Sequence, residues 1–262
     1  MVDVFSLENK KVGEVELPEL FKNEIRPDVI MKAFLAEQSN EFQLKYVDPL
    51  AGKRKAAVLM KTRRTFKTVY GHGMNRTPRK TMSRMGSHFS FEGAFAPHTV
   101  GGREAHPPEA NKVITKKINK KERLFAIRSA IAASAVKELV SKYHRIDAIK
   151  HLPLVVDDSI NKIKKTKDAE MALSKLGLEG ELERISSRKI RAGKGKLRGR
   201  KYKRKLGPLI VTTDASNLKR SMSNLNITVK TPSNLGVSDA SHAGNPGRLI
   251  IWTKEALSSL KI

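Results

Sequence analysis

The stretch from Pro49 to Asn111 limits what this chain can fold into more than any other. It carries Lys53, Arg54, Lys55, Lys61, Arg63, Arg64, Lys67, Arg76, Arg79, Lys80 and Arg84, and no acid occurs between Asp48 and Glu92. Glycines are scattered through it, and no apolar repeat of period 2 or 3.6 persists long enough to define a buried face. A long segment of this kind inside a compact domain is either disordered or functional. Unpaired cations at this density repel one another and need a polyanion to neutralise them. The expectation is an extended internal loop over residues 49–112, disordered alone and folding on contact with RNA.

A second stretch repeats the pattern on a smaller scale. Residues 186–206 hold Arg188, Lys189, Arg191, Lys194, Lys196, Arg198, Arg200, Lys201, Lys203, Arg204 and Lys205 beside Gly193, Gly195 and Gly199, with no acid. A solvated helix face interleaves acids for i,i+4 pairing, and glycines oppose a helix. This region therefore reads as a second RNA-contacting insertion.

The whole chain leans the same way. Its 262 residues have 52 Lys+Arg against 26 Asp+Glu, a formal charge of +26. Such a balance points to nucleic acid before an anionic membrane. The absence of cysteine excludes disulfides and thiolate metal sites, and fits a reducing cytosol. Met1–Leu7 lacks a basic start and an apolar block, and the longest apolar runs are far short of the ~20 residues that span a bilayer.

Outside the two cationic stretches the pattern is that of an α/β domain. Val2, Val4 and Phe5 begin one strand, and Val12, Val15 and Leu17 read as another. Pro27 suits the first turn of a helix carrying Val29, Ile30, Ala33 and Phe34. Asn119, with Glu122 three places on, predicts a capped helix whose stripe of Leu124, Ile127, Ile131, Ala135 and Leu139 runs to about Tyr143. Later apolar runs at 152–156, 209–211, 227–229 and 249–252 alternate with helical segments at 168–176, 217–224 and 253–260. Strands alternating with helices predict a single three-layer α/β domain, residues 1–48 with 113–262, built on a mainly parallel sheet.

Within the basic stretches, arginine can grip phosphate bidentately or stack on bases, while lysine acts as a point charge. The candidate RNA ligands are Lys61, Arg63, Arg64, Lys67, His72, Arg76, Arg79, Lys80, Arg84, His88, Arg103 and His106, then Arg188, Arg191, Lys194, Lys196, Arg198, Arg200, Lys201, Lys203 and Arg204. Tyr70, His72, His88, Phe89, Phe91 and Phe95 can stack on unpaired bases. Phe91 and Phe95 read equally well as a small apolar cluster where the arm folds back.

Other chemistry finds little support. Gly193-Lys194-Gly195-Lys196 lacks the spacing of a phosphate loop, and the seven histidines show no metal-ligand spacing. Asp157-Asp158 after a strand suits a turn or cap better than a magnesium site, and Thr212, Thr213 and Asp214 read as caps. Nothing looks catalytic, so no enzyme activity, cofactor or metal is expected. The alternative, an RNA-modifying enzyme of the methyltransferase type, requires a glycine-rich turn after an early strand, and none is present.

Four stretches resemble one family. They are Gly71-His72-Gly73 with Arg76-Thr77-Pro78-Arg79; Gly86-Ser87-His88 with Gly93-Ala94-Phe95, Gly101-Gly102-Arg103 and Ala105-His106-Pro107-Pro108; Arg128–Ala133; and Ile190–Arg198 running on to Gly207–Val211. The family is the universal large-subunit ribosomal protein number four, in its archaeal and eukaryotic form. The resemblance implies a globular α/β domain with a loop threading large-subunit rRNA, and a loop tip that forms part of a constriction of the nascent-peptide exit tunnel. Carried onto this chain, the tip is Gly71, His72, Gly73, Met74, Asn75 and Arg76. The implied partners are large-subunit rRNA, neighbouring large-subunit proteins and the passing nascent peptide, in the cytoplasm, with no membrane and no homo-oligomer.

Overall fold

A computed structural model describes residues 2–45, 47–59, 62–149 and 151–260. The chain divides into two compact units: Met1–Glu41 with Thr115–Ile262, called here the body, and Phe42–Ile114, called the loop unit.

The body opens with β1 (Val2–Phe5), β2 (Lys11–Val15) and α1 (Pro27–Glu41). The loop unit then contributes β3 (Arg79–Met85) and β4 (His88–Gly93). The body resumes with α2 (Lys120–Ser134), α3 (Lys137–Ser141), β5 (Leu154–Val156), α4 (Thr166–Leu173) and α5 (Glu179–Ser186). A short ladder of β6 (Lys189–Ile190) and β7 (Tyr202–Lys203) follows. The chain closes with β8 (Leu209–Val211), α6 (Ser216–Ser223), β9 (Thr228–Lys230), α7 (Val237–Ala240), β10 (Ile250–Thr253) and α8 (Lys254–Ser258).

Among the described residues, six strands form the main sheet in the order β2-β1-β5-β10-β8-β9. Only the β1–β2 hairpin is antiparallel; every other neighbouring pair is parallel. The three-layer α/β fold expected from the alternation of strands and helices is therefore the one found. The central strands β5, β8 and β10 are covered on both faces, which is why their sequences read as near-continuous apolar runs. Leu154, Val156, Ile210, Val229 and Ile251 face a core completed by α4 and α6. Val4, Val155, Leu209, Val211, Ile250 and Trp252 face the other core, under α1, α2 and α7. Small residues (Ala33 on α1; Ala126 and Ala130 on α2) are fully buried there, so these helices lie close.

Two helical expectations need correction. The single helix to Tyr143 is broken: Val136 takes extended angles (φ −89°, ψ 110°), so α2 ends at Ser134 and α3 begins afresh at Lys137. Leu124, placed on the buried stripe, is 43% exposed, while Ile127 and Ile131 of that stripe are buried and are joined by Ala126, Ser129 and Ala130. Asn119 occupies the N-cap position but makes no side-chain cap bond. The helix ending near Gly177 does turn there, at φ +84°, in a wider turn that leads into α5.

The loop unit corrects the expectation of a stretch without structure of its own. Here β3 and β4 form an antiparallel hairpin running from Arg79↔Gly93 to Met85↔His88. Val69, Thr77, Ala94 and Ala96 are buried beside it. The period-2 alternation in His88-Phe89-Ser90-Phe91 puts both rings on one face, but it is too short to stand out among the surrounding glycines and cations.

Candidate nucleic-acid interface

The sequence-predicted cations fall into two sets on different elements. Lys61 lies outside the described residues. In the loop unit Arg63, Arg64, Lys67, His72, Arg76, Arg84, His88 and His106 are exposed, and Arg79, Lys80 and Arg103 are half-buried. Among the described residues of this unit two cations are ion-paired: Arg54 with Asp48 at 2.8 Å, and Lys80 with Glu92 across the hairpin at 2.9 Å. Arg79 bonds Asn75 through its guanidinium. Among the described residues no carboxylate meets Arg63, Arg64, Lys67, Arg76, Arg84 or Arg103; Arg84 Nε donates to the Gly86 carbonyl at 2.9 Å.

The rings are what hold them. Arg84 lies 5.4 Å from the Phe66 centroid and 5.6 Å from Phe89, while the Lys67 Nζ is 5.4 Å from Phe89. Phe66 meets Phe89 edge-on at 5.1 Å, and Phe89 stacks on Phe91 at 6.0 Å. The cross-strand pairing of Arg84 with Phe89 is what brings guanidinium and ring to one face. Arg63 over Tyr70 (4.9 Å) and Arg103 over Phe95 (5.8 Å) repeat the arrangement. Of the two readings of Phe91, the local cluster is therefore realised. A ring face stabilises a cation by about 0.5–1 kcal/mol at exposed sites and leaves its N–H groups free for an acceptor. Gly71–Gly73 form a turn and Met74–Arg76 an irregular stretch ahead of β3, whereas the hairpin's own turn is at Gly86-Ser87, flanked by Met85 at 81% exposure.

The second set projects from the body. Arg188, Lys194, Lys196, Arg198, Arg200, Lys201, Lys203 and Arg204 are exposed and Arg191 is half-buried. The segment is a finger: β6 pairs with β7, Arg191 N donates to the Lys201 carbonyl at 2.8 Å, and residues 194–198 make a 3-10 turn at the far end. Arg188 and Lys201 sit 5.7 and 5.5 Å from the Tyr202 ring. Among the described residues none of the finger's cations is paired with a carboxylate.

The strand ends where α/β folds take ligands are occupied by their own side chains. Asp157 caps Ser159 N, Asp158 accepts from Glu255 N at 3.1 Å, Thr212 donates to Asn161 at 2.6 Å, Thr213 to Glu255 at 2.9 Å, and Asp214 accepts from Ser216 N. Asp157 is the N-cap that was expected, whereas Thr212 and Thr213 bond other side chains instead of capping, and Asp214 sits one residue ahead of the α6 N-cap position at Ala215. Among the described residues there is no cluster of His, Asp and Glu able to hold a metal ion, and no helix long and apolar enough to cross a membrane.

Sequence reasoning missed one group altogether. Glu181, Arg184, His144 and Arg248 form buried polar contacts at the finger's base. The available signals were the i,i+3 spacing of Glu181 and Arg184 and an arginine set directly before the apolar run at Leu249.

A three-layer α/β body with a cationic finger, in one chain with a second cation-rich unit, defines a class: basic proteins suited to engage a polyanion. The family model described as "Ribosomal protein L4/L1 family" matches residues 15–262. The chain is 43% identical to the large ribosomal subunit protein uL4 of Nanoarchaeum equitans, over 99% of this chain and 97% of that one. It is 39% identical to the protein of the same name from Methanocaldococcus jannaschii, over 98% and 97%. The chain belongs to the ribosomal protein L4/L1 family.

Proposed function

We propose that this chain is a structural constituent of the large ribosomal subunit, binding its rRNA through the loop unit and the finger together. The observation that carries the reading is the contrast in charge: Glu181 and Arg184 in the body are ion-paired to each other, while most cations of the loop unit and the finger meet no carboxylate among the described residues. Affinity then comes chiefly from phosphate neutralisation, and glycines let the backbone approach the sugar-phosphate chain. Lys61, Arg63, Arg64, Lys67, Arg76, Arg79, Arg84 and Arg103 serve the first extension, and Arg188 through Arg204 the second. Lys80 contributes less, because Glu92 already holds it. Other large-subunit proteins are its neighbours in the cytoplasmic ribosome, and it works without a cofactor.

The reading also carries a tunnel role, with Gly71–Arg76 as the point that meets the nascent peptide. The hairpin turn at Gly86-Ser87 is the competing position, favoured by the exposure of Met82 (59%) and Met85 (81%) beside it. The chain has no cysteine, so single cysteines at Asn75 and at Ser87 can each be crosslinked to a stalled nascent chain. A product from Asn75 alone supports the first assignment, and one from Ser87 alone replaces it.

The central test is a deletion. Ser39 Oγ accepts from Lys116 N at 2.8 Å, so the body closes its own root where the loop unit departs. Replacing residues 42–114 by a short Gly-Ser linker leaves a folded body that fails to enter large subunits stably. Normal incorporation of that variant would overturn the reading.

A further inference from the structure

Side chains buried in the body grip the finger's base. Glu181 on α5 is 1% exposed, and it accepts a forked pair of bonds from Arg184, Nε to Oε2 and Nη2 to Oε1, both 2.7 Å. His144 Nδ1 at 2.6 Å and Arg145 N at 3.0 Å complete its surroundings. The same Arg184 Nη2 donates to the Leu206 carbonyl at 2.6 Å. One residue further on, the Gly207 carbonyl accepts from Arg248 Nε and Nη2 at 3.2 and 3.0 Å. Arg248, also 1% exposed, is anchored by the Asp239 carbonyl at 2.6 Å and the Thr228 hydroxyl at 3.0 Å.

Leu206 and Gly207 are where the finger rejoins the sheet ahead of β8. Two guanidiniums from different elements therefore hold two successive carbonyls. Gly207 is required for the close fit, since a Cβ there would lie 2.4 Å from the Asn226 carbonyl oxygen. On the outgoing side Lys205 Nζ donates to Ser187 Oγ at 2.8 Å and closes the neck. Buried ionic groups are poor sources of net stability, but a network of many directional bonds fixes geometry. A root with this many directional bonds cannot swivel, and a pre-aimed ligand loses less freedom on binding.

We propose that Glu181, Arg184 and Arg248 are positioning residues for RNA binding, which fix the finger's root so that its cations meet the RNA as one aimed set. The inference rests on the reading that the finger binds RNA. The test uses the full chain, purified large-subunit rRNA as probe, salt from about 0.1 to 0.4 M, and amide exchange over residues 189–203. Arg184→Met is compared with a finger variant carrying Arg198→Gln, Arg200→Gln and Lys201→Gln, and with the combination.

Arg184→Met is expected to weaken binding about tenfold and flatten its salt dependence, because finger phosphate contacts are lost together. Its finger amides exchange faster, and adding the finger substitutions costs little more. A general loosening of the body would leave the salt slope unchanged and make the losses additive, so either result overturns the proposal. Should Arg184→Met fail to fold, Arg184→Lys decides: it keeps the charge beside Glu181 but cannot bond both carboxylate oxygens and the Leu206 carbonyl. If the finger variant alone binds like the parent chain, the finger does not bind RNA, and that failure is separately visible.

Discussion

The loop unit and the finger present the same chemistry and hold it by opposite means. The loop unit arranges its cations around its own rings: Arg84 and Lys67 pack on Phe66 and Phe89 above a seven-residue strand. The finger has one ring, Tyr202, and a ladder of two-residue strands, and takes its direction from the buried root at Glu181, Arg184 and Arg248. A long extension can build a local cluster, whereas a short one cannot bury enough area and must borrow rigidity from the body. In both, carboxylates are kept away from most of the cations, because a cation matched within the protein is lost to the partner.

The largest effect that would sharpen this comparison is on affinity. Changing Arg63, Arg64, Arg76 and Arg103 together to Gln removes four charges that meet no carboxylate, without touching the Arg84 cluster. Binding to large-subunit rRNA is expected to fall at least a hundredfold at about 0.1 M salt, with the salt slope reduced by roughly 3 to 4. Filter binding across a salt series measures both, and an unchanged slope would show that these residues do not meet phosphate.

The root offers the next largest effect, on stability instead of affinity. Arg248→Met removes a cation that burial pushes down to about 10. An apolar replacement relieves that desolvation but leaves the Gly207 and Asp239 carbonyls unbonded. The second term wins, and urea unfolding should show a loss of about 2–3 kcal/mol. No such loss is expected from neutralising the finger's exposed cations, which are bonded to no carboxylate.

Acid separates the two regions further. Burial, with His144 and Arg184 nearby, pushes His242 down to about 4, so it is neutral in the fold. The unfolded chain binds that proton near 6.5, so stability is lost as pH falls from about 6.5 to 4. Burial alone would raise the Glu181 carboxyl, but Arg184 and His144 hold it at about 2; its contribution is lost between about 4.5 and 2. Both groups act in the same direction. The body should lose about 1–3 kcal/mol between pH 7 and pH 4.5, read from urea midpoints. His242→Phe, which keeps a ring stacked on Tyr143 (4.4 Å in the parent chain), should flatten that limb.

How much of this was legible follows from where the signals lie along the chain. The parallel sheet was readable because its central strands, such as Leu154–Val156 and Leu209–Val211, are unbroken apolar runs buried on both faces. The cationic extensions were readable from the absence of acids. The hairpin at Arg79–Gly93 was missed because two alternating phenylalanines are a weak period, and what stabilises them, Phe66 and Lys67, lies more than ten residues away. The break at Val136 was missed because α2 and α3 share one apolar phase, and α5 because its buried face includes Glu181, a carboxylate. The root was invisible for a related reason: Glu181 and Arg248 become functional only through partners brought together by the sheet's crossovers. Periodicity reports faces, whereas sites made by long-range contacts need the fold.

The smallest effect bears most directly on whether the loop unit holds its own shape. Phe89 is the ring that Phe66, Phe91, Arg84 and Lys67 all contact, yet it is only half-buried. Phe89→Ala removes two ring–ring contacts and two cation–ring contacts, for a local loss of about 1–2 kcal/mol. The body has its own cores, so its urea midpoint should not move. Amides of Arg79–Gly93 should exchange several-fold to tenfold faster in the free protein, and rRNA affinity should drop only a few-fold because every phosphate-binding charge is retained. Hairpin amides that are already unprotected in the parent chain would mean the rings do not order the loop unit before RNA does, and the two extensions would then differ only in their roots.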